Sequence, residues 1–147
     1  MAVMAFDVGE KRVGIAVGEA LTGRARALPT LAPDDWQGIQ RSWDSWAPTA
    51  AVVGWPLDEQ GGLQAATARA QAFAGQLHGR FGCPVYVCDE RYSSRMADDR
   101  LRQARAQGQL GRRVRKADRD AEAARVILEQ WFDEGGVEGG RRLLPPP

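Results

Sequence analysis

Short apolar runs punctuated by glycine open the chain. Residues 3–7, 12–17 and 24–28 predict three consecutive strands joined by Gly-containing turns, an antiparallel meander. The period then changes. Trp36, Ile39, Trp43 and Trp46 fall on one face of a helix that Asp34 or Asp35 caps and Pro48 stops. Residues 50–53 are short and wholly apolar, as in a parallel strand buried on both faces. Gly61 and Gly62 open a second helix, in which Leu63, Ala66, Ala70, Phe73, Leu77 and Phe81 keep helical spacing until Gly79 and Gly82 end it. Residues 85–88 read as a fifth strand. Residues 93–107 predict a third helix, with Met96, Leu101 and Ala104 as its few apolar positions, and 107–115 form a Gly- and Arg-rich loop. A last helix begins at Asp118 or Asp120 and runs to about residue 134.

The order β-β-β-α-β-α-β-α-α predicts an α/β fold. Its sheet is mixed and five-stranded, three antiparallel strands followed by two parallel ones, with helices on both faces. One domain covers 1–134, and the Gly- and Pro-rich tail 135–147 is expected to be disordered. In such sheets the crevice lies at the carboxyl ends of the parallel strands. Asp7 lies at such an end, as do Gly54-Trp55-Pro56 and Asp89-Glu90-Arg91.

Composition narrows the function classes. At 147 residues, 44% hydrophobic and 27% charged, the chain suits one soluble domain with a sizeable core. It has no apolar run of about 18 residues, so no membrane association is expected. The N-terminus enters a strand directly, so no leader is expected and a cytoplasmic location follows. Cys83 and Cys88 lack Cys-x-x-Cys spacing and have no His cluster, which reads as two packed thiols. The single histidine, His78, argues against a His triad or a His-rich zinc site.

Charge is unevenly spread. Net charge is +1, but residues 91–119 hold ten basic residues against three acids, a net +7, which leaves −6 elsewhere. A polyanion footprint is one reading, resting on Arg102, Arg105, Arg112, Arg113, Arg115 and Lys116 among others. The other is a solvated face in an Arg-biased protein, since only Lys11 and Lys116 are lysines.

Three acids carry the candidate chemistry. Asp7 ends the first strand, where burial of a carboxylate is costly unless compensated. It suits a cation ligand or a turn cap. Glu90 follows the fifth strand and suits a ligand or a surface partner of Arg91 or Arg95. Asp120 continues the stripe Ala124, Ile127, Trp131 of the last helix, whereas Asp118 precedes that stripe and suits a cap. Brought together, the three carboxylates repel unless cations bind them. Oxygen-only ligands select Mg2+ or Mn2+, and two such ions roughly 3.5–4 Å apart support phosphodiester hydrolysis.

Four strings, FDVGEKRVGIAVGE, VVGWPLDEQGG, VCDERYSS and DRDAEAARVILEQWF, carry a family resemblance. The chain resembles the YqgF/RuvX family of RNase H-like nucleases from Met4 to about Glu134. The resemblance implies an RNase H-like fold and a metal-dependent endonuclease, with catalytic, metal-binding acids at Asp7, Glu90 and Asp120. The register of Ala123-Ala124-Arg125-Val126-Ile127-Leu128 selects Asp120 for the third. It also implies nucleic-acid contacts at Lys11, Arg12 and Arg91, and at Ser93 and Ser94, which keep the hydroxyls of the family's Thr pair. Trp55 replaces the usual apolar residue before Pro56. The implied substrates are structured nucleic acids: precursor small-subunit ribosomal RNA trimmed at its 5′ end, and the four-way DNA junction of recombination and repair. Cutting a junction symmetrically calls for a homodimer, for which the Trp-rich first helix offers a surface; core packing of that stripe is the simpler alternative. A non-catalytic nucleotide- or nucleic-acid-binding module of the RNase H/actin-like superfold is the competing class.

Overall fold

The computed structural model describes residues 1–55, 65–89 and 116–145, with backbone alone for 116–120. Its elements are β1 (Ala2–Val8), β2 (Val13–Glu19), β3 (Arg24–Leu31), α1 (Trp36–Trp46), β4 (Ala50–Trp55), α2 (Ala65–Phe81), β5 (Val85–Asp89), α3 (Lys116–Asp133), α4 (Gly136–Gly139) and β6 (Arg141–Leu144). The sheet order is β3-β2-β1-β4-β5-β6. The meander β1–β2–β3 is antiparallel, and β1, β4 and β5 run parallel to one another. The expected α/β architecture is therefore present, with one correction. The sheet has six strands rather than five, because β6 adds antiparallel to β5.

Strand alternation divides the core into two layers. Met4, Phe6, Val13, Ile15, Val53 and Val87 face α1 and α2, where they meet Ile39, Trp43, Phe73 and Leu77. Val3, Ala5, Ala16, Val52, Tyr86 and Cys88 face α3, where they meet Ala124, Ile127, Leu128 and Trp131. Each large side chain buried in this way contributes roughly 1.5–3 kcal/mol. Helices thus cover both faces, and the central strands β1 and β4 are apolar on both because neither face meets water.

Asp35, not Asp34, caps α1, its carboxylate accepting from the Gly38 N–H at 2.9 Å. The helix ends at Ala47, whose φ of 47° is left-handed and whose N–H donates to the Trp43 carbonyl at 2.8 Å. Most of the predicted stripe packs inward. Trp43 stacks on Phe81 at 4.5 Å between ring centroids, and Trp36 on Phe73 at 5.0 Å. Trp46 departs from the stripe: it is 38% exposed, with the Arg26 guanidinium 5.5 Å from its ring centroid. Cys83 and Cys88 are buried and unbridged, as two packed thiols should be. Burial pushes the Cys83 thiol up to about 11, so it stays protonated and inert at neutral pH.

Two further corrections concern the C-terminal third. Helix α3 begins at Lys116, so Asp118 and Asp120 both lie within its first turns rather than at its cap. The signal for that start was masked by charged residues with no apolar period. The tail, expected to be disordered, forms α4 and β6. Its glycines make a turn that other residues resist: Gly135 and Gly136 have φ of 110° and 59°. A Cβ on Gly140 would collide with the Trp131 indole nitrogen and the Gly136 carbonyl. Leu143 and Leu144 then pack against the α1/α2 layer, and β6 covers the edge that β5 would otherwise expose. The predicted helix 93–107 and loop 107–115 lie outside the described residues.

Two glycine notches generate predictions. A Cβ on Gly18 would sit 2.6 Å from the Arg24 carbonyl oxygen and 2.9 Å from the Phe132 ring. Gly18→Ala should therefore lift α3 from β2 and lower unfolding free energy by about 1–3 kcal/mol; an unchanged denaturant midpoint would contradict that seating. Gly140→Ala should release α4 and β6 while leaving the main sheet folded. Limited trypsin digestion should then cut faster at Arg141 and Arg142 with little change in far-UV circular dichroism. Cleavage as slow as in the parent chain would show that the notch is not required.

Candidate active site

Asp7 is the penultimate residue of β1 and is half-buried. It has the parity of Val3 and Ala5, so its side chain leaves the sheet on the face that α3 covers. Its partner on β2 is Gly14. On β4 the register pairs Phe6 with Val53, which brings Gly54 level with Asp7, and Gly54 in turn pairs with Cys88 on β5. The carboxylate is thus flanked by glycine on both neighbouring strands. Neither of those two neighbouring positions carries a side chain. The sequence already placed Gly54 at the crevice end, whereas Gly14 was not singled out, although an isolated Gly inside an apolar strand is a signal for close approach.

The connection from β1 to β2 is a tight turn in which the Gly9 N–H donates to the Arg12 carbonyl at 3.0 Å. It presents Lys11 exposed and Arg12 half-buried at the same end of the sheet as Asp7. Lys11 also lines a cleft of about 480 Å³ with Glu10, Trp36 and Arg69, where Arg69 pairs with Glu10 at 3.3 Å. Val8, which lines that cleft, belongs to the α1/α2 layer, so the cleft opens on the opposite face from Asp7.

Helix α3 carries the third predicted acid, Asp120. Its far end is seated at Gly18, which pairs with Val3 at the start of β1. Glu129 accepts from the Ala25 N–H of β3 at 3.1 Å, and Arg125 links it to Glu122 at 3.3 Å. These contacts anchor the helix across the meander. Asp120 sits one turn before the fully buried Ala124 and two turns before the fully buried Ile127. Its position in the helix therefore continues the row that faces the sheet.

Of the predicted site residues, the structure describes Asp7, Lys11 and Arg12 fully, and Lys116 and Asp120 by their backbone in α3. Glu90, Arg91, Ser93, Ser94, Arg102, Arg105, Arg112, Arg113 and Arg115 lie outside the described residues. Glu90 is bonded directly to Asp89, the last residue of β5. Among the described residues, no three metal-ligating side chains come together. The donor set at this end of the sheet nevertheless suits a hard cation. Asp7 offers carboxylate oxygen in a partly desolvated position beside glycine on both neighbouring strands. No helix among the described residues is long and apolar enough to cross a membrane.

Comparison with known proteins extends the site to a family. The family model described as "RuvX: Holliday junction resolvase" matches residues 1–134. A protein of Burkholderia vietnamiensis named "Putative pre-16S rRNA nuclease" is 47% identical over 135 residues, covering 89% of this chain and 88% of its own. A protein of Yersinia enterocolitica with the same name is 41% identical over 136 residues, covering 90% of this chain and 94% of its own. Among solved structures, Thermus thermophilus RuvC superposes with a TM-score of 0.58 at 18% identity, covering 97% of this chain and 100% of that one. The same protein in complex with a Holliday junction gives 0.57 at 17% identity, covering 97% and 99%. Those structural likenesses establish the RNase H-like fold. With one model spanning nearly the whole domain and relatives above 40% identity, the chain belongs to the RuvX family.

Proposed function

We propose that this protein is a metal-dependent endonuclease of structured nucleic acid whose catalytic acids are Asp7, Glu90 and Asp120. The observation that carries it is the placement of Asp7, a half-buried carboxylate between two glycines on the face that α3 covers. The helix supports a meeting of the acids. Its Phe132 end lies opposite the start of β1, and the twelve residues back to Asp120 rise about 18 Å. From Val3 to Asp7 the strand rises about 13 Å. Run antiparallel along β1, the helix therefore has the length to carry Asp120 to the Asp7 end. Glu90 follows directly on Asp89, the last residue of β5.

Asp7, Glu90 and Asp120 would hold Mg2+ or Mn2+. When bound, such ions activate water and stabilise the leaving oxygen of a phosphodiester. The chain's own part is to bind and orient. Lys11 and Arg12, at the β1–β2 turn on the acid end of the sheet, would contact phosphates, as would Arg91, Ser93 and Ser94, which follow Glu90 in the chain. Arg102, Arg105, Arg112, Arg113, Arg115 and Lys116 lie between two of the acids in the chain, so they are tethered to the site and attract the backbone. The substrate class is precursor ribosomal RNA, four-way DNA, or both. Each is a bent polyanion read by phosphates and shape. A cytoplasmic location fits such substrates.

Two predictions follow from these roles. Mg2+ or Mn2+ should support cleavage, excess chelator should abolish it, and Asp7→Asn, Glu90→Gln or Asp120→Asn should each reduce it by orders of magnitude at unchanged or higher melting temperature. Full cleavage in chelator, or by Asp7→Asn, would favour the non-catalytic binding module. Loss in Asp118→Asn with activity retained in Asp120→Asn would move the third ligand to Asp118. The second prediction concerns binding. Neutralising Arg112, Arg113 and Arg115 together should lower affinity for RNA and DNA alike and flatten the log–log salt slope by up to about one unit per lost contact. An unchanged slope in titrations at several salt concentrations would return these arginines to a solvated role.

A further inference from the structure

We propose that the C-terminal strand β6 is a second phosphate-binding element, in which Arg141 and Arg142 grip the nucleic-acid backbone at the outer edge of the sheet; this rests on the nuclease function proposed above. The element lies beyond residues 1–134, the span that the family model matches. It is a built feature, not a fraying end. The left-handed Gly135 and Gly136 and the close approach of Gly140 to Trp131 fix the turn that delivers it. The register then sets each arginine. Arg142 pairs with Tyr86, so it lies on the α3 face that also carries Asp7. Arg141 pairs with Val87 and lies on the opposite face, so the two straddle the sheet edge. Both are exposed, while Leu143 and Leu144 anchor the strand to the core. Beside them, Tyr86, Val137 and Gly140 complete a concavity of about 550 Å³.

The distances suit one continuous substrate. Strand β6 is three strands from β1, about 14 Å away, and Tyr86 lies two residues, about 7 Å, before Cys88, which is level with Asp7. Arg142 is then about 16 Å from Asp7 between Cα atoms, about five nucleotides of a duplex at about 3.4 Å each. A phosphate on the strand being cut, or on the adjoining arm of a branched substrate, lies within that span. The competing role is that the arginines merely guard an edge strand against pairing with other chains, which needs only their hydration.

Fluorescence anisotropy with a four-way DNA junction and a structured RNA, titrated at several salt concentrations, separates the two. The pair Arg141→Gln and Arg142→Gln should weaken binding several-fold and flatten the salt slope by one to two units, with thermal melting unchanged. The pair Arg41→Gln and Arg80→Gln, on α1 and α2, should leave the slope as in the parent chain. The pair Arg141→Lys and Arg142→Lys keeps the charges and should retain the slope. If it is as weak as the Gln pair, the effect is one of packing and the proposal falls. If the parent chain binds with a steep salt slope that the Gln pair leaves intact, the proposal falls while the nuclease function stands. If the parent chain shows no salt-dependent binding to either probe, both fall.

Discussion

Strand β1 is covered on both faces, and its one acid stands near its carboxyl end. A strand with no wet face must be apolar on both sides, and residues 3–6 comply by being completely buried. Asp7 breaks the run at the level of Gly14 and Gly54, which carry no side chains. A desolvated carboxylate costs several kcal/mol unless it is paired or bound to a cation.

The rest of the fold serves to place α3. Its apolar row packs on Val3, Ala5 and Val52, Phe132 enters the notch at Gly18, and Glu129 is bound by the β3 backbone. Those contacts use the helix's C-terminal half, where Gln130 also donates to the Asp89 carbonyl at the end of β5 at 3.3 Å. A sheet without β3 would lose that anchoring. The meander therefore supplies Asp7, Gly14 and the turn between β1 and β2, and through β3 it also seats the helix.

Much of this was legible in the chain. Strands β1, β4 and β5 announce themselves because strands buried on both faces are short apolar runs, and α1 and α2 because their stripes keep helical spacing. The start of α3 was less legible because Lys116–Asp120 is charged at nearly every position, and helical geometry there has no apolar period to betray it. The tail was misread for a different reason. EGGVEGG has the composition of disorder, but its glycines are there because Trp131 and the turn carbonyls leave no room for a Cβ, a constraint that exists only once the helix is in place. For the site, Asp7 could be read as a strand-end acid, and Asp120 as the extension of a helical row. Gly14 and Gly54 gained their meaning only when the register set them beside Asp7.

The central claim is that Asp7 belongs to a divalent-cation site formed with Glu90, which follows β5 in the chain, and Asp120 of α3. Titration of the protein with Mn2+, followed by the loss of the free-ion electron paramagnetic resonance signal, tests it without requiring a substrate. The parent chain should take up Mn2+, and Asp7→Asn should lose most of that uptake while its melting temperature holds or rises. Equal uptake by the parent chain and by Asp7→Asn would contradict the assignment.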